Sequence, residues 1–182
     1  MRTPHRRGNP TGPTLSALLR VFLDIALLRS GPQVLPASAL LLALCFALYS
    51  ATYLAVIATT SLELRVLAAQ VVASVAIDVV GLWLVLAAAR RQARYPQALA
   101  ALFGAGTILN LALLPVALRV AAGGPAFELA GALAGSVVMG WGLAVLAHIL
   151  RHALEIAWGL ALALGALYLF VSIVAQRALG TA

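Results

Sequence analysis

The chain contains no lysine, one cysteine and two methionines, and only 9% of its 182 residues are charged. Each scarcity removes a class of protein. A soluble domain carries about a quarter charged residues and is roughly half apolar; here 64% of the chain is hydrophobic, and mean hydropathy is +1.06. So short a chain cannot hide that much apolar surface in a core of its own, so hydrocarbon must serve as its solvent. The single cysteine, Cys45, cannot form an intrachain disulfide and reads as a small packing residue inside an apolar run. Five acids stand against twelve arginines, for a net charge of +7. Such a balance suits nucleic acid only when the arginines gather on one solvated face. These stand at the ends of apolar runs, as topology markers and snorkelling anchors, so no nucleic-acid partner is expected. Arginine without lysine, beside abundant alanine and leucine, fits a high-GC bacterial genome.

Signatures of chemistry are also missing. Gly104-x-Gly106 lies inside an apolar span, with neither the lysine nor the strand that a phosphate cradle requires. There is no catalytic serine signature, no pair of membrane acids and no haem attachment motif. Five spans do not divide into inverted halves. No enzymatic activity and no cofactor are expected. The polar start, followed by a stretch interrupted at Arg20 and Asp24, does not read as a cleaved signal, and lipidation motifs are absent.

What is present is a series of apolar runs. Residues 1–13 are basic and rich in proline and glycine, and are expected to be disordered. Over 14–30, Ser16, Arg20 and Asp24 recur every fourth residue beside Leu15, Leu18, Leu19, Phe22, Ile25 and Ala26. That pattern predicts an amphipathic helix lying in the headgroup region, apolar side toward lipid, with Arg20 able to pair with Asp24. Ser30-Gly31-Pro32 ends it, glycine being suited to a left-handed cap. Spans are then expected at about 38–60, 66–89, 98–120, 129–150 and 156–175, each close to the ~20 residues that cross hydrocarbon. The fold class is therefore an all-α polytopic membrane bundle over 36–177, of about five transmembrane helices behind the interfacial helix. With the N-terminus inside, nine arginines fall on inner segments and only Arg65, Arg119 and Arg177 outside. The positive-inside rule thus puts the N-terminus in the cytoplasm and the C-terminus outside, in a bacterial inner membrane.

Four groups of residues could carry function. Asp78, near the middle of the second span, would cost about 2.5–3.5 kcal/mol to insert alone, so it should face inward and be paired. Gln70, Ser74, Asp78 and Gly81 make one stripe on that span, and Asn110 stands at similar depth in the third. Asp78 and Asn110 are expected to face each other, the carboxylate free to carry a proton. A clasp fixing helix packing is preferred over a transport site, since one acid and one amide do not make a pathway. His148, Arg151, His152 and Glu155 share one helical face at the cytoplasmic border. Arg151 between the histidines opposes a metal, so Arg151 is expected to anchor to phosphate and pair with Glu155. Gly131-Ala-Leu-Ala-Gly135 is a small-residue face for close helix approach, more fitting for an internal partner than a second chain.

Leu27-Leu28-Arg29-Ser30-Gly31-Pro32, the Asp78 span and the glycine-rich stretch from Gly131 to His148 follow one another in a layout that resembles the Yip1-domain family, over about Leu15 to Arg177. Of the Asp-Leu-Tyr-Gly-Pro signature of its eukaryotic members, only Gly31-Pro32 is present. The resemblance implies a five-span topology and a non-enzymatic role, and no site residue. The preferred expectation is an inner-membrane scaffold or accessory protein, engaging anionic lipid headgroups or a membrane-protein partner. The alternatives are a small transporter or proton-coupled channel using Asp78 and Asn110, with His148 near its inner mouth, and a lipid-headgroup enzyme using His148, His152 and Glu155.

Overall fold

The computed structural model describes residues 15–60, 62–123 and 125–180, so the expected disordered segment 1–13 lies outside the described residues. Among those described, every regular element is helical: α1 (Leu15–Ala26), α2 (Ala39–Ile57), α3 (Leu64–Ala88), α4 (Tyr95–Ala121), α5 (Pro125–Leu154) and α6 (Trp158–Gly180), with single 3-10 turns at Pro32–Val34 and Gln92–Arg94. Helices α2 to α6 are each long and apolar enough to cross a bilayer. The chain is an all-α bundle of the multi-pass membrane kind.

Local chemistry sets the helix ends, and several differ from the expected boundaries. The Ser38 hydroxyl accepts from the Leu41 amide at 3.3 Å and starts α2. At its other end the hydroxyls of Thr59 and Thr60 donate to the carbonyls of Val56 and Ile57, so regular helix stops at Ile57 rather than 60. Pro96 belongs to the first turn of α4, where a missing N–H is no loss, so α4 starts at Tyr95 rather than 98. Arg151 and His152 extend α5 to Leu154 instead of interrupting it, since cations are favoured in a last turn.

The left-handed cap after α1 falls on Leu28 (φ 62°), not on Gly31, which is extended at φ −89° and ψ 169°. What Gly31 supplies is room, because a Cβ there would lie 2.8 Å from the ring of His152. Arg90 (φ 56°) and Glu155 (φ 58°) take the same left-handed position after α3 and α5. A non-glycine residue pays about 1–2 kcal/mol for it.

The five long helices form a ring in which α2 packs on α4, α4 on α5, α5 on α6, α6 on α3, and α3 closes back on α2. Packing is tight at one end. There Leu82, Leu86, Phe103, Ile149, Leu150 and Ala161 are almost wholly buried. This end also carries the loops with Arg29, Arg90, Arg91, Arg94 and Arg151. Toward the opposite end a groove and a cavity lie between the helices.

Helix α1 docks against the tight end. Phe22, Ile25 and Ala26 are buried, and the Trp141 indole N–H of α5 donates to the Ala26 carbonyl at 2.8 Å. The apolar stripe of α1 therefore faces α4 and α5, where lipid was expected; Leu19, Leu23 and Leu27 form its exposed side. Arg20 and Asp24 do not pair with each other: neither takes part in an ion pair among the described residues. Gly104 is the seat for Phe22, since a Cβ at 104 would lie 2.3 Å from that ring. Gly104→Val is expected to lower the unfolding midpoint of the purified protein, costing about 1–3 kcal/mol by overpacking. Phe22→Ala in the same chain should recover part of the loss. Two losses that simply add would mean that the ring and the glycine do not meet.

Candidate functional site

Spacing along α3 puts Ser74 and Asp78 one turn apart, both facing the ring axis and each only 6% exposed. Gln70, a turn earlier, is half-buried and stands outside the central cavity. The Asp78 carboxylate is held from α6: the Tyr168 hydroxyl donates to Oδ1 at 2.6 Å. Oδ2 is buried and makes no direct hydrogen bond, with the Tyr49 hydroxyl a further donor close to the carboxylate. Gly81 makes this contact possible, because a Cβ there would come within 2.8 Å of the Tyr168 ring.

A second tyrosine is seated in the same way. The ring of Tyr49 packs on Gly106, where a Cβ would lie 2.7 Å away. It stacks between Phe103, with centroids 5.1 Å apart, and Tyr53, at 6.1 Å. Its hydroxyl reaches Ser74 Oγ at 3.4 Å.

Asn110 and Asp78 border the same cavity without bonding to each other. The Asn110 amide donates to Thr52 Oγ1 of α2 at 3.4 Å. The expected direct pairing is replaced because α3 packs more closely on α6 than on α4, which makes Tyr168 the nearer donor. Thr107, a turn from Asn110, turns its hydroxyl back to the Phe103 carbonyl.

The cavity has a volume of about 430 Å³ and is lined from all five long helices, a size within the range of small-molecule sites. Tyr53, Ser74, Asn110, Ser172 and Gln176 supply its polar wall, and Asp78 is the one charged residue in its lining. Sequence reasoning overlooked α6, whose signal was present: Tyr168, Ser172 and Gln176 recur at four-residue spacing on one face. It also overlooked Gly81, Gly104 and Gly106 as seats for aromatic rings.

The other cluster is a clasp. His148 is buried, with Nε2 3.1 Å from the Ser30 carbonyl oxygen and its ring edge-on to His152, centroids 4.5 Å apart. Glu155 lies just past the end of α5, so the four-residue helical spacing that would join it to Arg151 no longer applies. Its carboxylate pairs instead with Arg91 at 2.6 Å and with Arg94. Arg94 also donates to the carbonyls of His152 and Ala153, at 3.0 and 3.1 Å, and caps α5. Arg151 stays exposed. His148, His152 and Glu155 thus do not converge on one point, and among the described residues no three His, Cys, Asp or Glu side chains gather as a metal site.

Gly131 and Gly135 have different surroundings. A Cβ at Gly131 would lie 2.3 Å from Val120 of α4, so this glycine serves an internal close approach. Gly135 has nothing within 4 Å of such a Cβ. It borders both the central cavity and a groove of about 640 Å³ between α2, α4 and α5 at the arginine-poor end.

Comparison with protein-family models, curated proteins and solved structures finds no match to this chain.

Two outcomes follow from this geometry. Hydrogen bonds from Arg94, then Arg91, hold the Glu155 carboxyl below its ordinary value of 4.5. A depressed value means that the contact stabilises the fold fully above that ordinary value and is lost as pH falls through the lowered one. The unfolding midpoints of the unaltered chain and Glu155→Gln should therefore differ at neutral pH and converge in acid; a constant gap would refute the ion-pair account. Separately, with buried Cys45 replaced by alanine, Ser172→Cys should react with a membrane-impermeant thiol reagent applied to the arginine-poor side. Ala101→Cys, in the closed core, should not. Equal protection of both positions would show the cavity to be dry.

Proposed function

We propose that this protein is a small proton-coupled transporter or channel of a bacterial inner membrane, with Asp78 as its central proton-binding group and Asn110 in the lining of the same cavity. Its N-terminus is cytoplasmic and its arginine-poor end faces outward. One observation carries the reading: a ring of five spans surrounds a cavity bordered by a buried carboxylate, of which only Oδ1 accepts a direct hydrogen bond. A clasp that served packing alone would be expected to satisfy both oxygens, because an unmet buried acceptor costs about 1–3 kcal/mol. Intramembrane acids that border cavities commonly mark ion or proton paths. The Yip1-like layout contributes topology to this reading and no residue.

A scaffold role is the second reading, favoured by the open groove beside Gly131 and Gly135. Its apolar wall and small residues suit a helix of another membrane protein, while the arginines at the opposite end suit anionic headgroups.

Proteoliposomes under a potassium diffusion potential distinguish the two. The unaltered chain should pass protons, and Asp78→Asn should fall to the level of protein-free vesicles, although the amide oxygen still accepts from Tyr168. Vesicles that stay tight with the unaltered chain, or leak equally with the variant, would reject the transporter in favour of the scaffold.

A further inference from the structure

Charge, shape and surface of the central cavity together restrict what it can hold. Its single charged residue is an acid, and among its lining residues there is no arginine or histidine. An anion entering there would meet only like charge and would find no cation to offset its desolvation. A bare metal ion is also a poor match. The space of about 430 Å³ far exceeds one ion, and the wall beyond the polar groups is mainly aliphatic, with Leu109, Met139 and Leu143 among its residues. Aromatic surface is concentrated near the acid: Tyr49, Tyr53 and Tyr168 all border the cavity. A carboxylate beside tyrosine rings and aliphatic walls is the chemistry that receives a cation with an apolar body, through an ion pair and cation–π attraction.

We infer that the cavity binds a small amphipathic organic monocation, an amine or quaternary ammonium, whose positive group is held by the Asp78 carboxylate in the lining while its apolar part lies against Leu109, Met139 and Leu143. This rests on the transporter reading and names its cargo class. The exchange balances simply. Where the carboxyl starts protonated, the arriving cation replaces the proton: the O–H bond breaks, its electron pair remains on the carboxylate, and one proton leaves to water. Proton and cargo are then alternative counter-charges for one carboxylate, so the binding of one displaces the other. The Asp78 carboxylate is the group they would share, and the Tyr168 hydrogen bond to Oδ1 holds it in place for both.

The test uses the full chain in lipid nanodiscs with radiolabelled benzyltrimethylammonium, a permanent cation with an apolar ring. Its competitors are neopentylbenzene, the neutral carbon isostere, and phenylmethanesulfonate, an anion of similar shape. Saturable binding is expected, displaced by unlabelled cation and by neither competitor. Binding should release protons in weakly buffered solution and weaken by about tenfold or more in Asp78→Asn. The comparison of cation with isostere uses the unaltered chain, so it stands even where the variant folds poorly. Equal displacement by neopentylbenzene, or binding without change in Asp78→Asn, would overturn the cargo class. A chain that passes protons in vesicles but does not bind the cation rejects this inference and leaves the transporter reading; a chain that does neither rejects both.

Discussion

A carboxylate halfway across a slab of hydrocarbon must find donors or draw water to itself, and the arrangement around Asp78 follows from that constraint. The charge belongs to α3, yet its donor comes from α6, one of the two helices that flank α3 in the ring. For a tyrosine on α6 to reach across, its ring needs a place on α3, and Gly81 provides it. The same solution recurs on α4, where Gly106 seats Tyr49 and Gly104 seats Phe22. Glycine weakens a helix interior by about 1 kcal/mol relative to alanine. In each case that weakness is exchanged for contact with a large ring, which in a bilayer matters more than in water because lipid gives helices little hydrophobic reason to associate.

The bundle is consequently unequal along its axis. Its arginine-rich end is filled by α1 and by core side chains from every span, whereas its other end keeps a central cavity and an open groove. Docking of α1 depends on side chains that take hydrogen bonds to carbonyls left free where the helix runs out. Trp141 serves Ala26, His148 serves Ser30, and Gln97 serves Leu35. Arg94 does the same at the end of α5. Unsatisfied carbonyls in a low-dielectric setting are expensive, so these four residues close the end electrostatically as well as sterically.

Much of this was legible in the sequence, and the failures have identifiable causes. Run length and hydropathy gave five spans and their approximate limits, because the bilayer imposes a single length on every helix that crosses it. The Asp78 stripe could be read because a charge in an apolar run stands out. Its partner could not: Tyr168 is as apolar as it is polar, and which helix flanks α3 depends on ring order, which periodicity does not encode. Glu155 failed for a related reason. Its pairing with Arg151 assumed continued helix, but the chain turns left-handed at that residue and leaves the carboxylate beside the 90–94 loop. The glycine seats were invisible because a glycine announces only missing volume, and the ring that fills it comes from elsewhere in the chain.

The closed end and the open end raise a question of mechanism that the contacts themselves constrain. For the proposed transport, the bundle must open at the arginine-rich end, where α1 and the core side chains close it. Apolar packing there resists separation, but the polar contacts are of a kind that water can replace at modest net cost, each worth about 0.5–1.5 kcal/mol. Two left-handed residues, Arg90 and Glu155, stand at the helix ends that would have to move, and both are held against their backbone preference. The most tightly packed end is therefore also the one whose turns carry backbone strain, whereas Asp78 lies within the regular helix of α3.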